Sequence, residues 1–493
     1  MTSYFCIAIF LDDMYKVKYL LLLHCVAIIS VLLHVEGALN AEDWTRFRGP
    51  NGTGVAEAAK LPTHFDVRRN LHWRTPLPAG HSSPVFTTDR IFVTASEEGL
   101  LYTICLDLTS GKILWQQEIP RHRREPFHRV NGPASPSPVT DGSNVYVFFG
   151  DYGVVSYESN GKERWRVPLG PFSTPNGHGT SPILVNDTVV LMSDQDEMSY
   201  LLALDCKNGE IRWKVERPEV VHGYSTPTLY RPKDGPLQII TPSSYRISSY
   251  EATTGKRLWW SSGPTWQVKP IAVVDGEMIY ATGWAPVEYQ NLPPYETAIK
   301  RGDIDGDGKI SEQEAIENGW RHGGGWGLVD LDADGKLNQR DWEFFRARRM
   351  ARNATFALRP PSGANGDITA EATMWRYEKA VPVVSSPLLY RKILYTIKDG
   401  GILTALDPRD GQVLKQGRLT GAIDKYYASP VAANGKIYFA SQNGKISVVQ
   451  AGTNWQLLTV NDLMEACYAS PSIADNKLYV RTESALYAFG QTH

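Results

Sequence analysis

A chain of 493 residues can hold two or three ordinary domains or one large all-β domain. Its 51 lysines and arginines nearly balance 53 aspartates and glutamates, leaving a formal net charge of −2. A field that weak holds neither nucleic acid nor an anionic membrane surface, so no nucleic-acid partner is expected.

At the N-terminus Lys16 and Lys18 precede the apolar run YLLLLHCVAIISVLLHV, and Gly37, Ala38 and Ala41 follow it. This is the three-part order of a secretory signal peptide, here residues 1–41, and it predicts an exported protein of the periplasm, the cell envelope or the medium. The apolar stretch is short and interrupted by histidine, so no stable membrane span is expected after leader cleavage. Met14 offers a second start, because MTSYFCIAIFLDD fits no part of the pattern. Cys25 follows a bulky histidine where a lipoprotein signal wants a small residue, and lipidation is not expected. Cys105, Cys206 and Cys467 lie far apart and are odd in number, which excludes a disulfide scaffold. There is no CxxCH haem motif, no adjacent cysteine pair and no HExxH.

Beyond the leader a unit recurs: a small residue, a proline, an apolar run and a turn, then further β-rich runs, an Asp, a Gly turn and a Trp. SSPVFTTDRIFVTA leads to LYTICLDLTSGKILW, and GTSPILVNDTVVLMS leads to LLALDCKNGEIRW. The repeat prolines stand at Pro84, Pro138, Pro182, Pro227, Pro270, Pro387, Pro430 and Pro471, separated by 54, 44, 45, 43, 117, 43 and 41 residues. Units of about 40–45 residues with four short strands predict one blade each, and eight prolines predict an eight-bladed β-propeller. The final unit lacks a tryptophan strand, while NLHWRTPL at residues 70–77 supplies one ahead of the first proline. The N-terminal strand is therefore expected to join the last sheet and close the ring. Trp115, Trp165, Trp213, Trp259 and Trp375 hold matching positions and read as blade-to-blade packing residues. The basic run RHRREPFHR, Arg121–Arg129, reads as a solvated loop.

The 117-residue interval predicts an insertion of about residues 286–353 in a strand-to-strand loop of blade five. The propeller then comprises residues 42–285 and 354–493. Inside the insertion GDIDGDGKISEQEA places Asp303, Asp305 and Asp307 at alternate positions, then Gly308, the Lys309 carbonyl, Ser311 and Glu314. DLDADGKLNQRD repeats the spacing with Asp330, Asp332, Asp334, Gly335, the Lys336 carbonyl, Asn338 and Asp341. Both stretches resemble the EF-hand family, which implies two calcium sites built from hard oxygen donors and a sharp turn at the glycine. The second ends on aspartate, one methylene shorter than glutamate, and is expected to bind more weakly. Ile310 and Leu337 occupy the positions at which paired EF-hands join their loops, which implies that the two face each other. Only residues 315–329 separate the loops, and HGGGWG breaks that stretch, so short helices and a static site are expected rather than a sensor that opens. PYETAIKRG and QRDWEFFRARRM are predicted as the flanking helices.

The repeats resemble the tryptophan-bearing units of pyrroloquinoline-quinone-type propellers, and the opening WTRFRGPNGTG, Trp44–Gly54, is similar to exported planctomycete-type members. The resemblance implies either a quinone-dependent dehydrogenase or a non-enzymatic envelope scaffold such as the propeller of the barrel-assembly machinery. The dehydrogenases hold their quinone over an adjacent-cysteine disulfide, with calcium and an acidic base in the channel. No such pair or acid is identifiable here, and the quinone is not expected.

Residues beside the repeat prolines should line the central channel. They are Ser82, Ser83, Ser137, Thr180, Ser181, Ser225, Thr226, Ser385, Ser386, Ser429 and Ser470, with His81, His178, His222, Tyr224, Lys269, Tyr426, Tyr427 and Tyr468 nearby. These groups suit close packing at a crowded axis, and equally a ligand funnel. Together the readings predict an exported calcium-binding propeller that serves as a protein-binding scaffold of the cell envelope. A pyrroloquinoline-quinone-dependent alcohol or sugar dehydrogenase and a polysaccharide-binding propeller stand as alternatives.

Overall fold

The computed structural model describes residues 44–491 apart from 122, 287–288 and 323–324; the expected signal peptide lies outside the described residues. Eight blades of four antiparallel strands follow one another around an axis, seven running in sequence order from an inner to an outer strand and the last taking its outer strand from the N-terminal end of the described chain. Blade three, Ile183–Val185, Thr188–Ser193, Tyr200–Asp205 and Ile211–Glu216, shows why these sequences choose this form. Its two middle strands are buried at every residue, as befits sheets covered on both faces, whereas the outer strand alternates toward solvent. The core therefore lies between blades. One apolar cluster joins blades one and two through Phe92, Cys105, Val147 and Tyr157, and another joins blades six and seven through Tyr395, Leu403, Phe439 and Trp455.

The ring closes as expected. Leu71–Pro76 pairs antiparallel with Ala485–Phe489 in the last sheet, so no edge is left where the chain ends meet. The repeated tryptophans lock neighbouring blades: the Trp115 Nε1–H donates to the Ser159 carbonyl at 2.9 Å and the Trp165 Nε1–H to the Cys206 carbonyl at 3.0 Å. Each indole lies against a glycine of the next blade's turn. Gly161 has φ +94°, and a Cβ there would stand 2.8 Å from Trp115. Trp259 is the exception, fully buried and donating to Gln238 Oε1 of its own blade at 3.0 Å. In blade five the usual short turn is replaced by a loop that returns Gly366–Asp367 as a fifth strand, parallel to the strand carrying Trp259.

Blade five is also where the chain leaves the ring. Met278–Gly283 pairs directly with Ala354–Leu358, and the intervening chain forms helices Tyr295–Gly302, Glu312–Glu317 and Gln339–Met350. That segment has its own small core, in which Trp342 meets Trp320 edge to face at 4.6 Å and packs on Phe345. In an antiparallel sheet the loop from second to third strand emerges on the same face as the connection from one blade to the next. The insertion is thereby placed beside the channel mouth.

The basic run is less solvated than expected. Arg121 pairs with Asp151, and Arg123 donates to the Gly150 and Leu169 carbonyls at 2.8 and 2.7 Å. This segment is the connection from blade one to blade two and lies along blade two's rim. Only its later part, Pro126–Arg129, is exposed throughout.

Candidate functional site

The axis is organised by a belt of side chains. At five of the eight repeat prolines the amide of the preceding residue donates to the hydroxyl of the equivalent residue one blade on. Ser83 N donates to Ser137 Oγ at 2.8 Å, Ser137 N to Ser181 Oγ at 2.9 Å, and Ser181 N to Thr226 Oγ1 at 2.9 Å. The chain resumes with Ser386 N to Ser429 Oγ at 3.0 Å and Ser429 N to Ser470 Oγ at 2.8 Å. At blade five the equivalent residue is Lys269, and the belt is interrupted. Its Nζ donates to the Gln267 carbonyl at 3.0 Å and stands 5.9 Å from the Tyr224 ring centre; burial pushes the ammonium down to about 8.

One end of the channel is sealed by the segment Trp44–Gly54. Arg46 donates to the Pro227 carbonyl at 2.7 Å, Arg48 to those of Pro387 and Pro430 at 3.0 and 3.3 Å, and Asn51 exchanges two hydrogen bonds with the Leu229 backbone. The repeat prolines thus do more than start strands: three of their carbonyls hold the plug. Arg48 is fully buried, which pushes its guanidinium down to about 9.

Above Phe47 of that plug lies a cavity of about 630 Å³. It is lined by the belt residues Ser83, Ser137, Ser181, Thr226, Ser386, Ser429 and Ser470, and by His81, Tyr224, Lys269, Tyr427 and Tyr468. The remaining expected channel residues stand behind the wall. Ser82 bonds to the Thr94 carbonyl at 3.2 Å and Ser225 to the Pro270 carbonyl at 2.9 Å, while Thr180 and Ser385 are buried. Tyr426 donates to the Ala422 carbonyl at 2.7 Å. His178 is packed against Phe148 and Phe172. His222 bonds Asp196 through Nδ1 and faces the Gln267 amide at 3.0 Å through Nε2. Burial and the nearby Arg481 push His81, stacked 4.5 Å from Tyr468, down to about 4. Trp266, Trp284, Leu328 and Arg348 also line the cavity, the last two from the insertion. Arg348 lies 3.9 Å over the Trp266 ring. Among the described residues, no aspartate or glutamate does.

In the insertion the two acidic loops meet through antiparallel pairing of Ile310 with Leu337 and Ser311 with Lys336, with Ile310 and Leu337 buried beneath. Gly308 and Gly335 take φ +81° and +89°, the left-handed turn that glycine allows cheaply. Carboxylate oxygens of Asp303, Asp305 and Asp307 lie within 4.8 Å of one another, and so do those of Asp330, Asp332 and Asp334. Asp303 accepts the amides of Gly306, Asp307 and Gly308 at 2.8, 3.1 and 2.9 Å. Glu314 accepts those of Ile304 and Ser311 at 2.7 and 2.8 Å, and with Ser311 forms a capping box on helix Glu312–Glu317. Asn338 and Asp341 cap helix Gln339–Met350 in the same way. Burial pushes Asp341 up to about 6. Across the interface the Lys336 ammonium meets Asp305 at 3.1 Å and also Asp307, while Lys309 meets Asp334. The donors are all hard oxygens, convergent and backed by amides, which suits a calcium-sized cation.

A family profile described as outer membrane protein assembly factor BamB matches residues 103–265 and 353–492, more than half of the chain. The chain belongs to that family. The interval the profile skips contains the whole insertion, which is an addition to the BamB-family ring. Among solved structures, BamB from Moraxella catarrhalis is similar with a TM-score of 0.51 at 12% identity, over 85% of this chain and 98% of that one. A quinohemoprotein alcohol dehydrogenase from Pseudomonas putida HK5 is similar with a TM-score of 0.57 at 12% identity, over 92% and 81%. A europium-containing methanol dehydrogenase gives 0.57 at 11% identity, over 92% and 99%. At such identities the likeness is one of fold alone. No curated protein matches in sequence. Among the described residues, no helix is long and apolar enough to cross a membrane.

The BamB-family ring explains which site residues were legible. Belt residues announce themselves by the repeat proline. Trp266, Trp284, Leu328 and Arg348 carry no repeat signal, because they sit in connections and in the insertion. Phe47 lies in the opening motif with no repeat signal of its own, and its place under the cavity depends on a plug that spans the ring.

Proposed function

We propose that this BamB-family propeller works as an exported, calcium-binding scaffold of the cell envelope, with the insertion as a docking knob ordered by two ions. The observation that carries the reading is the face-to-face pairing of two complete acidic loops on a segment with its own core, beside a ring whose channel is sealed at one end. The family's description as an outer membrane assembly factor supports an envelope location and a protein partner. Asp303, Asp305, Asp307, the Lys309 carbonyl, Ser311 and Glu314 hold the first ion. Asp330, Asp332, Asp334, the Lys336 carbonyl, Asn338 and Asp341 hold the second, more weakly because Asp341 is short and buried. Calcium supplies charge neutralisation between carboxylates that otherwise lean on two lysines, so its effect is to stiffen the insertion. A quinone dehydrogenase would need an acidic base in the channel, and the described residues of the cavity wall offer hydroxyls and cations.

Calorimetric titration with calcium tests the reading. Two sites of unequal affinity are expected, with the tighter one lost in a variant carrying Asp303→Ala and Glu314→Ala. No calcium heat in the parent protein would sink the proposal. Affinity capture from envelope fractions, with and without chelator, then asks whether a partner depends on the ions.

A further inference from the structure

The cavity at the channel mouth has a definite chemical character that the scaffold reading does not use. Its volume, about 630 Å³, falls in the range of small-ligand sites, about 300–1,000 Å³. Its base is rich in donors. Ser137, Ser181, Thr226, Ser386, Ser429 and Ser470 each accept a backbone amide, yet among the described residues no acceptor takes their own hydroxyl hydrogen. Those hydrogens are available to the axis. In the same wall Lys269 replaces the belt hydroxyl and adds a cation, and Arg348 adds a second, stacked on Trp266. No carboxylate among the described residues lines the wall beside Lys269, in a chain whose overall charges balance. A lysine ammonium that is partly buried in such a wall is costly, and an anion beside it reduces the cost.

The rim has a different character. Gln267 donates through Nε2 toward His222, and Asn176 donates through Nδ2 to the Tyr224 hydroxyl at 2.8 Å. Both residues line the cavity, and the Oδ1 of Asn176 and the Oε1 of Gln267 receive no hydrogen bond from a described residue. These oxygens accept ligand hydroxyls. Tyr224, Trp284, Tyr427 and Tyr468 supply flat apolar faces of the kind that pack on the C–H face of a sugar ring.

We infer that the channel is a binding site for an acidic sugar, a hexuronate unit whose carboxylate meets Lys269 and the belt hydroxyls and whose own hydroxyls meet Gln267 and Asn176. Acid at the base, hydroxyls at the rim and an apolar ring face between them are one combination that satisfies all three parts of the wall. A plain aromatic acid leaves the rim oxygens unanswered, and a neutral sugar leaves the ammonium unanswered. The site goes beyond the calcium-scaffold reading and does not depend on it.

Hexuronate disaccharides and their methyl esters, titrated into the purified full chain, test the inference. Heat and the fluorescence of the cavity tryptophans are the two readouts, each recorded with calcium and with chelator. At least one disaccharide acid should bind, and its ester should bind about tenfold or more weakly, because esterification removes a charge-assisted hydrogen bond. Lys269→Met should bind acid and ester alike, and Lys269→Arg should keep part of the preference, with thermal melting as the check on folding. Binding of no hexuronate, equal binding of acid and ester by the parent, or an acid preference that survives in Lys269→Met would each overturn the inference. Loss of calcium heat with acid binding retained would count against the scaffold reading alone.

Discussion

The joints between blades and the acidic loops of the insertion both rely on glycine at positive φ, and for different reasons. At Gly161 the turn needs φ +94° and also needs the space, because the Trp115 indole stands where a Cβ would go. At Gly308 the φ is +81° and nothing lies within 4 Å of a Cβ. The ring is held by close packing repeated from blade to blade, so its glycines are steric. The insertion is held by a small separate core and by charge balance, so the glycines of its acidic loops, Gly308 and Gly335, only shape a turn. The two regions should therefore fail separately and under different stresses.

The largest effect is expected from Trp342→Ala. Emptying the centre of the insertion's core should cost about 3–5 kcal/mol, and hydrogen exchange should show protection lost across residues 295–350 while the blade strands keep theirs. Loss of protection in the blades as well would show that the two regions are one cooperative unit. Gly161→Ala comes next. Strain at positive φ plus overlap with the indole should cost roughly 2–4 kcal/mol in urea unfolding, against roughly 1 kcal/mol for Gly308→Ala.

Two further changes act where the regions meet, at the channel mouth. Lys269 has a folded pKa of about 8, below its unfolded value of about 10.4, so the cost of burying its charge is complete below pH 8 and is relieved as pH rises toward 10.4. Lys269→Met should accordingly be more stable than the parent at pH 7 by roughly 1–3 kcal/mol, and the advantage should shrink in melts taken at pH 9 and 10. His81 has a folded pKa of about 4 against an unfolded value of about 6.5. The neutral ring is tolerated above pH 6.5, and stability is lost as pH falls from there to 4. His81→Gln should flatten that acid limb, changing stability by roughly 1–2 kcal/mol at pH 4 relative to pH 7.

Much of the ring was legible because its signals are local and repeat: a proline that starts each inner strand, a glycine turn and a tryptophan one strand later. The closing strand was legible for the same reason, since Trp73 occupies the place missing from the final unit. Pairing of Ile310 with Leu337 was implied by the resemblance of the two loops to EF-hands and is seen in the register of the short strands. The channel was only half legible. Ser83, Ser137 and Ser181 stand immediately before the repeat proline and line the cavity, but His178, His222 and Tyr426 share its neighbourhood in sequence and turn away into the walls. Side-chain direction in a connection depends on the neighbouring blade, which a single unit does not encode. The basic run shows the same limit: its arginines read as solvated, and Asp151 of the next blade draws Arg121 in.

By itself, then, the sequence determined the number of blades, the site of the insertion and the spacing of its acidic loops, because each is written within one unit or one turn; it pointed to the closure of the ring only through the tryptophan strand that the final unit lacks. Only the tertiary structure decided that Arg48 and Phe47 seal one end of the channel, that Leu328 and Arg348 of the insertion wall the other, and that Lys269 stands alone as a cation in a hydroxyl belt. Those contacts join residues hundreds of positions apart, and they exist only once eight separate sheets have closed around one axis.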